Sequence, residues 1–160
     1  MEHRVSALVG FYRRVQAERM QGIPILNTAL CVEAVGFRAA EDEDAVAEGV
    51  LITPWFMSLV RLPLAVQDHA GRVARKAVRG FGNERFDFIG AHDPAVGFHE
   101  ACALFSPMAD FSSQAQARET AEAVLAELRP APEPSPVAEP LPARRAFLMA
   151  RRPATTGATP

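Results

Sequence analysis

Gly49-Val50-Leu51-Ile52-Thr53-Pro54-Trp55-Phe56-Met57-Ser58-Leu59-Val60 is the densest apolar run in the chain and holds its only tryptophan. The first half reads as a strand. Thr53-Pro54 then has the form of a helix cap followed by proline at the first helical position, where the missing N–H costs nothing. On that reading Trp55, Phe56, Met57 and Leu59 share one or two helical turns, too few to point all of them into one core. The stretch is then either a corner of the core against which other elements pack, or a partly exposed apolar groove that receives another chain. Aromatic and methionine side chains recur at adaptable binding surfaces, which motivates the second alternative.

Toward the N-terminus, Val5, Leu8, Tyr12, Val15 and Arg19 recur at helical spacing and predict an amphipathic helix over about 5–20. Gly22 and Pro24 stop it. Ile23 to Asn27 reads as an extended connector that covers the core or in which Asn27 caps a brief turn. Cys31 to Arg38 and Val46 to Thr53 are expected strands, with Glu41, Asp42, Glu43 and Asp44 on the loop between them. That acidic run lacks the spacing and central glycine of a calcium loop and is expected to be a solvated loop.

Beyond the tryptophan, Arg72, Arg75, Lys76 and Arg79 would form the basic face of a short helix bracketed by Gly71 and Gly80. Such a face is either ordinary solvated surface or a contact for acidic groups. Phe86 to Ala91 and Val96 to Phe105 alternate as strands around the Asp93-Pro94 turn. The second of these has apolar residues on both sides, Phe98, Cys102 and Leu104 against Ala101, Ala103 and Phe105, and so reads as a central strand. Ser106-Pro107 ends it. Ser113 and Gln116 fit a capping box that opens a helix with Ala117, Ala121, Val124, Leu125 and Leu128 as its apolar stripe, closed by Pro130.

These elements predict one α+β domain over 1–129, an antiparallel sheet packed by N-terminal and C-terminal helices. A Pro-rich linker follows over 130–142, then a tail motif over 143–152 and a disordered end over 153–160. Arg144, Arg145, Phe147 and Leu148 give the tail motif an apolar centre between paired arginines. It either docks on the domain or is held for a partner.

A formal charge of -2 and a pI near 6.1 give no general attraction to nucleic acid or to an anionic membrane. Pro54, Arg61 and Pro63 break the apolar runs well short of a membrane span. No secretion signal is visible, and the expectation is a soluble cytoplasmic protein whose two distant cysteines, Cys31 and Cys102, are free thiols. His99 and Cys102 fall on opposite faces of the predicted strand, while His3, His69 and His92 have no ligand-spaced partner, so no metal or other cofactor is expected. Glu33, Glu48 and Glu100 read as water-facing strand residues. No nucleophile elbow, phosphate loop or dinucleotide fingerprint is present, and no enzyme is expected.

Met20-Gln-Gly-Ile-Pro-Ile-Leu-Asn27, Leu51-Ile-Thr-Pro-Trp-Phe-Met57, Cys102-Ala-Leu-Phe-Ser-Pro-Met108 and Arg144-Arg-Ala-Phe-Leu-Met-Ala-Arg-Arg152 occur in this order. In this the chain resembles the HybE/HupJ family of [NiFe]-hydrogenase assembly chaperones. The resemblance implies an α+β fold akin to secretion-chaperone-like domains and a cytoplasmic helper in maturing membrane-bound uptake hydrogenases. It further implies that immature subunits are held before export, above all the small-subunit precursor with its twin-arginine signal. Some relatives carry or accompany a rubredoxin-like iron module, but this chain has no paired CxxC motifs, and no iron role is carried over to it. A rubredoxin-like accessory protein remains an expected partner.

In that role Trp55, Phe56, Met57 and Leu59, with Met108, are the expected client-binding surface. Arg61, Arg72, Arg75 and Arg79 would steer acidic client regions. Arg144-Arg145-Ala146-Phe147-Leu148 looks like an export motif at the wrong end of the chain, so it either docks on the domain or occupies the client groove in cis. The alternative from another class is a thiol- or metal-handling accessory enzyme of hydrogenase maturation centred on Cys31 or Cys102.

Overall fold

A sheet flanked by two helices frames the molecule. In the computed structural model, which describes residues 1–132, helix α1 (Glu2–Arg19) precedes strands β1 (Glu33–Ala39), β2 (Val46–Ile52) and β3 (Met57–Pro63). A single 3-10 turn (Ala70–Arg72) leads to β4 (Lys76–Phe81), β5 (Glu84–Asp93) and β6 (Gly97–Phe105), and helix α2 (Gln114–Leu128) follows. The six strands form one sheet in the order β1-β2-β3-β6-β5-β4. Every pairing between neighbouring strands is antiparallel. The expected linker beyond its first three residues, the tail motif and the terminal segment lie outside the described residues.

β6 lies inside the sheet between β3 and β5, as its two apolar sides predict. One face packs on α2 through Val50, Ile52, Met57, Leu59, Phe81 and Phe88, met by Ala117, Ala121, Leu125 and Leu128 of the helix. The other face packs on α1, where Leu8 sits among Leu51, Val60 and Leu62. Arg4 ties α1 down by donating from Nε to the Pro63 carbonyl at 3.0 Å and from Nη2 to the Val96 carbonyl at 2.6 Å.

The sheet curls. β3 and β4 are three strand spacings apart, roughly 14 Å in a flat sheet, about twice the reach of an arginine. Arg61 of β3 nevertheless donates from Nη1 to the carbonyl of Gly80 in β4 at 2.7 Å. The concave side faces α2, whose Leu128 carbonyl accepts from Asn83 N in the β4–β5 turn at 2.8 Å. Gly82 in that turn has φ +59, and a Cβ there would run into the Leu128 carbonyl, so only glycine fits.

Three local readings are corrected. Thr53 does cap free amides, but they belong to a hairpin turn: its hydroxyl accepts from Phe56 N at 2.9 Å and Trp55 N at 3.3 Å, while Thr53 N donates to the Phe56 carbonyl at 2.8 Å. The chain therefore reverses, and Ile52 pairs with Met57 where a helix was expected. The expected basic helix over 72–79 is instead the 3-10 turn and β4. Alternation decides it, since Phe81 must reach the core beside Phe88, with ring centroids 6.4 Å apart. Ser113 caps α2 as expected, accepting from Gln116 N at 3.1 Å, but Gln116 returns its side chain to Ser112 N at 2.7 Å, one residue early.

Candidate functional site

Of the residues expected to bind a client, the structure separates core from surface. Met57, Leu59 and Met108 have no exposure and pack in the core on the α2 face. Trp55 and Phe56 are half-buried at the tip of the β2–β3 turn. Their rings lie 5.7 Å apart, and Tyr12 of α1 packs edge-on against Phe56 at 5.5 Å and beside Trp55 at 6.4 Å. The aromatic corner is therefore shared between α1 and the hairpin. It continues inward to His99, whose Nε2 lies 3.3 Å from the Tyr12 hydroxyl.

Burial pushes the Tyr12 phenol up to about 12, with Asp93 adding to it. It also pushes the His99 imidazole down, against the hydrogen bond from its ring to the Gly97 carbonyl.

The arginines expected to steer a client are largely spoken for by carboxylates. Arg61 is 2% exposed and reaches Asp42 at 3.1 Å, Glu43 at 3.2 Å and Glu48 at 3.4 Å as well as Gly80. Two members of the expected solvated acidic loop are thus folded back onto β3. Glu100 is buried and receives Arg72 at 2.8 Å and Arg79 at 3.0 Å. Burial pushes its carboxyl up, but the bonds from Arg79 and Arg72 outweigh that and hold it below the usual carboxylate range.

Glu48, also expected to face water, is buried beside Arg61 and Arg129, and for it burial outweighs both arginines and raises the carboxyl. Arg75 alone of the four steering candidates is exposed. Arg61 is thus enclosed by its carboxylates and the Gly80 carbonyl, whereas the Arg72 and Arg79 side chains, 43% and 33% exposed, pair with Glu100 and still reach water.

The two cysteines differ in setting. Burial raises the Cys102 thiol, with Asp87 contributing, which keeps it protonated. Cys31 is exposed, and its main-chain N–H donates to Gln114 Oε1 at 2.9 Å. Among the described residues no three His, Cys, Asp or Glu side chains are placed to hold a metal ion. No helix among them is long and apolar enough to cross a membrane.

Next to the aromatic corner lies a feature that the sequence reading only half located. An open groove of about 590 Å³ is lined by Pro24, Ile25, Leu26, Asn27, Thr28 and Ala29 on one side and by Pro107, Ala109, Phe111 and Ser112 on the other. Ile25 is 54% exposed. Phe105, 40% exposed, packs edge-on against Phe111 at 5.3 Å. No lining residue is ionisable. Asn27 N donates to the Pro54 carbonyl at 2.9 Å, which joins this groove to the Trp55 turn. The run Ile-Pro-Ile-Leu was legible as an apolar connector, but that it faces the loop after Phe105 follows only from the folded sheet.

The three loops that meet here carry three of the segments on which the resemblance to assembly chaperones rests, and the family comparison agrees with them. Residues 3–150 match the family described as "[NiFe]-hydrogenase assembly, chaperone, HybE". The chain belongs to the HybE family. Protein HoxT of Cupriavidus necator is 41% identical over 93% of this chain and 89% of its own length. The HoxT hydrogenase expression/formation protein of Azotobacter vinelandii is 38% identical over 94% of this chain and 92% of its own.

A probable rubredoxin, HupJ of Rhodobacter capsulatus, is 40% identical over 80% of this chain, which spans only 45% of HupJ. The solution structure of HybE from Escherichia coli has the same fold, with a TM-score of 0.58 at 20% identity over 94% of this chain and 91% of that one. As a HybE-family member the chain is an assembly chaperone of [NiFe]-hydrogenase maturation.

Proposed function

We propose that this HybE-family chain holds an immature hydrogenase subunit in the cytoplasm, the small-subunit precursor with its twin-arginine signal, by seating an apolar stretch of it in the groove beside Trp55. The observation that carries this reading is the uncharged groove between 24–29 and 107–112, tied through the bond from Asn27 N to the Pro54 carbonyl to the turn that carries half-exposed Trp55 and Phe56. Met57, Leu59 and Met108 belong to the core, and the affinity surface consists of Trp55, Phe56 and Ile25, with the largely buried Phe111 at the floor of the groove.

A holding protein needs no reactive group. It needs to bind the open subunit more tightly than the assembled enzyme, so that burial of the same apolar stretch during assembly releases it. A rubredoxin-like accessory protein acting beside it is compatible with the length of HupJ outside the matched region.

The test is a pull-down of purified precursor small subunit, with and without its signal, by the full chain. The expected result is capture that weakens on Trp55→Ala by about 2 kcal/mol, the scale of a hot-spot aromatic, and that fails on Ala109→Trp, which fills the groove. Capture unaffected by either change in a folded protein removes the site. Capture of mature large subunit alone removes the client assignment.

A further inference from the structure

Asn27 makes more connections than any other residue near the groove. Its side-chain Nδ2 donates to the carbonyls of Met108 at 2.9 Å and Phe111 at 2.7 Å, and its Oδ1 accepts from Ala29 N at 3.0 Å. Its main chain donates to the Pro54 carbonyl at 2.9 Å and accepts from Leu30 N at 3.1 Å. One residue thus fastens the first wall of the groove to the second, which lies eighty-odd residues away, and to the Trp55 turn. None of these bonds belongs to a helix or the sheet ladder.

We infer that Asn27 is the positioning residue that keeps the groove open and pre-formed for an uncharged, apolar stretch of client chain. The inference rests on the groove being the client seat. Both amide hydrogens of Asn27 are used on the opposite wall, so no other short side chain reproduces the set: aspartate has the shape but no donors, and serine is too short. Without the two donors the Phe111 carbonyl loses its Asn27 partner and the Met108 carbonyl keeps only Phe111 N at 3.3 Å, and the walls are free to close on each other or drift apart. Binding would then include the cost of ordering them. The chemistry of the occupant follows from the lining. The lining carries no charge and mixes the polar Asn27, Thr28 and Ser112 with Pro24, Ile25, Leu26, Pro107, Ala109 and Phe111, so an uncharged segment is matched there and a charged one finds no counter-charge.

The test uses a short blocked Leu/Ala peptide with a fluorescent label, and the same peptide with lysines inserted, titrated against the full chain. Wild type binds the first and not the second, and Ala109→Trp abolishes binding. Asn27→Asp weakens it about tenfold, a loss of pre-organisation rather than of contact. Hydrogen exchange separates positioning from general damage. In Asn27→Asp the main-chain amides of residue 27 and Phe111, bonded to the Pro54 and Met108 carbonyls, lose protection while those of the β2–β3–β6 ladder keep theirs. Affinity also recovers partly at acid pH, where the introduced carboxyl regains a donor.

Should Asn27→Asp unfold, Asn27→Ser, which adds no charge, is read by the same criteria. If Ala109→Trp abolishes binding and both Asn27 variants bind like wild type, the role of Asn27 is overturned and the groove stands. If Ala109→Trp leaves binding unchanged, the groove itself is not the seat and the inference falls with it. Equal binding of the lysine-bearing peptide overturns the assigned chemistry.

Discussion

Replacing Arg61 by methionine distinguishes an arginine that guides clients from one that holds the sheet in shape. The partners lost differ in consequence. The Asp42 and Glu43 side chains are 52% and 59% exposed, so water takes them back at little cost. Glu48 is different: its side chain is 1% exposed, and it keeps only Arg129 at 3.3 Å. The Gly80 carbonyl loses its donor altogether.

Breaking a buried pair costs about 3–5 kcal/mol, and because Arg129 remains, roughly 3 kcal/mol is expected. That lowers Tm by roughly 6–12 °C in a chain of this size. The pH dependence has a definite sign. The Glu48 carboxyl is raised by burial already, and losing Arg61 raises it further. A raised carboxyl penalises the fold increasingly as pH climbs through its unfolded value near 4.5, so the deficit of Arg61→Met is larger at pH 7 than at pH 5. Urea unfolding followed by Trp55 emission at both pH values measures it, alongside client binding at a temperature where both proteins are folded. A variant as stable as wild type that binds clients poorly, or a deficit that widens toward acid, refutes the structural role.

Three further outcomes follow from the same coordinates. Burial lowers the His99 imidazole in the folded state, so the unfolded chain takes up its proton first as pH falls below about 6.5, and stability present above that pH is lost toward acid. The slope is at most about 1.4 kcal/mol per pH unit, and His99→Gln flattens it in urea titrations from pH 8 to 5. Leu8→Ala, at a position with no exposure between α1 and the sheet, costs roughly 2–5 kcal/mol by chemical denaturation. Gly82→Ala destabilises by more than about 1 kcal/mol, because φ +59 disfavours a side chain and the Leu128 carbonyl occupies its place; thermal melts check it.

How far the sequence revealed this molecule depends on the range of the interaction concerned. Alternation in Phe98–Phe105 and the Ala117–Leu128 stripe placed a central strand and its covering helix, because burial on a sheet or helix repeats at a short, readable period. The sequence around Thr53 shows its chemistry but not its element: a hydroxyl that caps amides serves a helix start or a tight turn alike, and only the pairing of Ile52 with Met57 chooses. The Arg72–Arg79 spacing fitted a helix as well as a strand. What decided it, Phe81 in the core and Glu100 between two arginines, involves residues far along the chain. For the same reason the groove was visible only as separate apolar loops, and Glu48, Glu100 and Arg61 looked solvent-facing until the sheet curled around them.

The walls of the groove come from stretches as distant as Pro24 and Ser112, and none of the lining residues belongs to the strand ladder. With the groove as the proposed client seat, scaffold and recognition are separable by inheritance. On that proposal, relatives can change clientele by rewriting a handful of loop residues while the ladder, its clamps and its melting behaviour pass on unaltered. Grafting those loops between family members is a direct route to exchanging which hydrogenase each one serves.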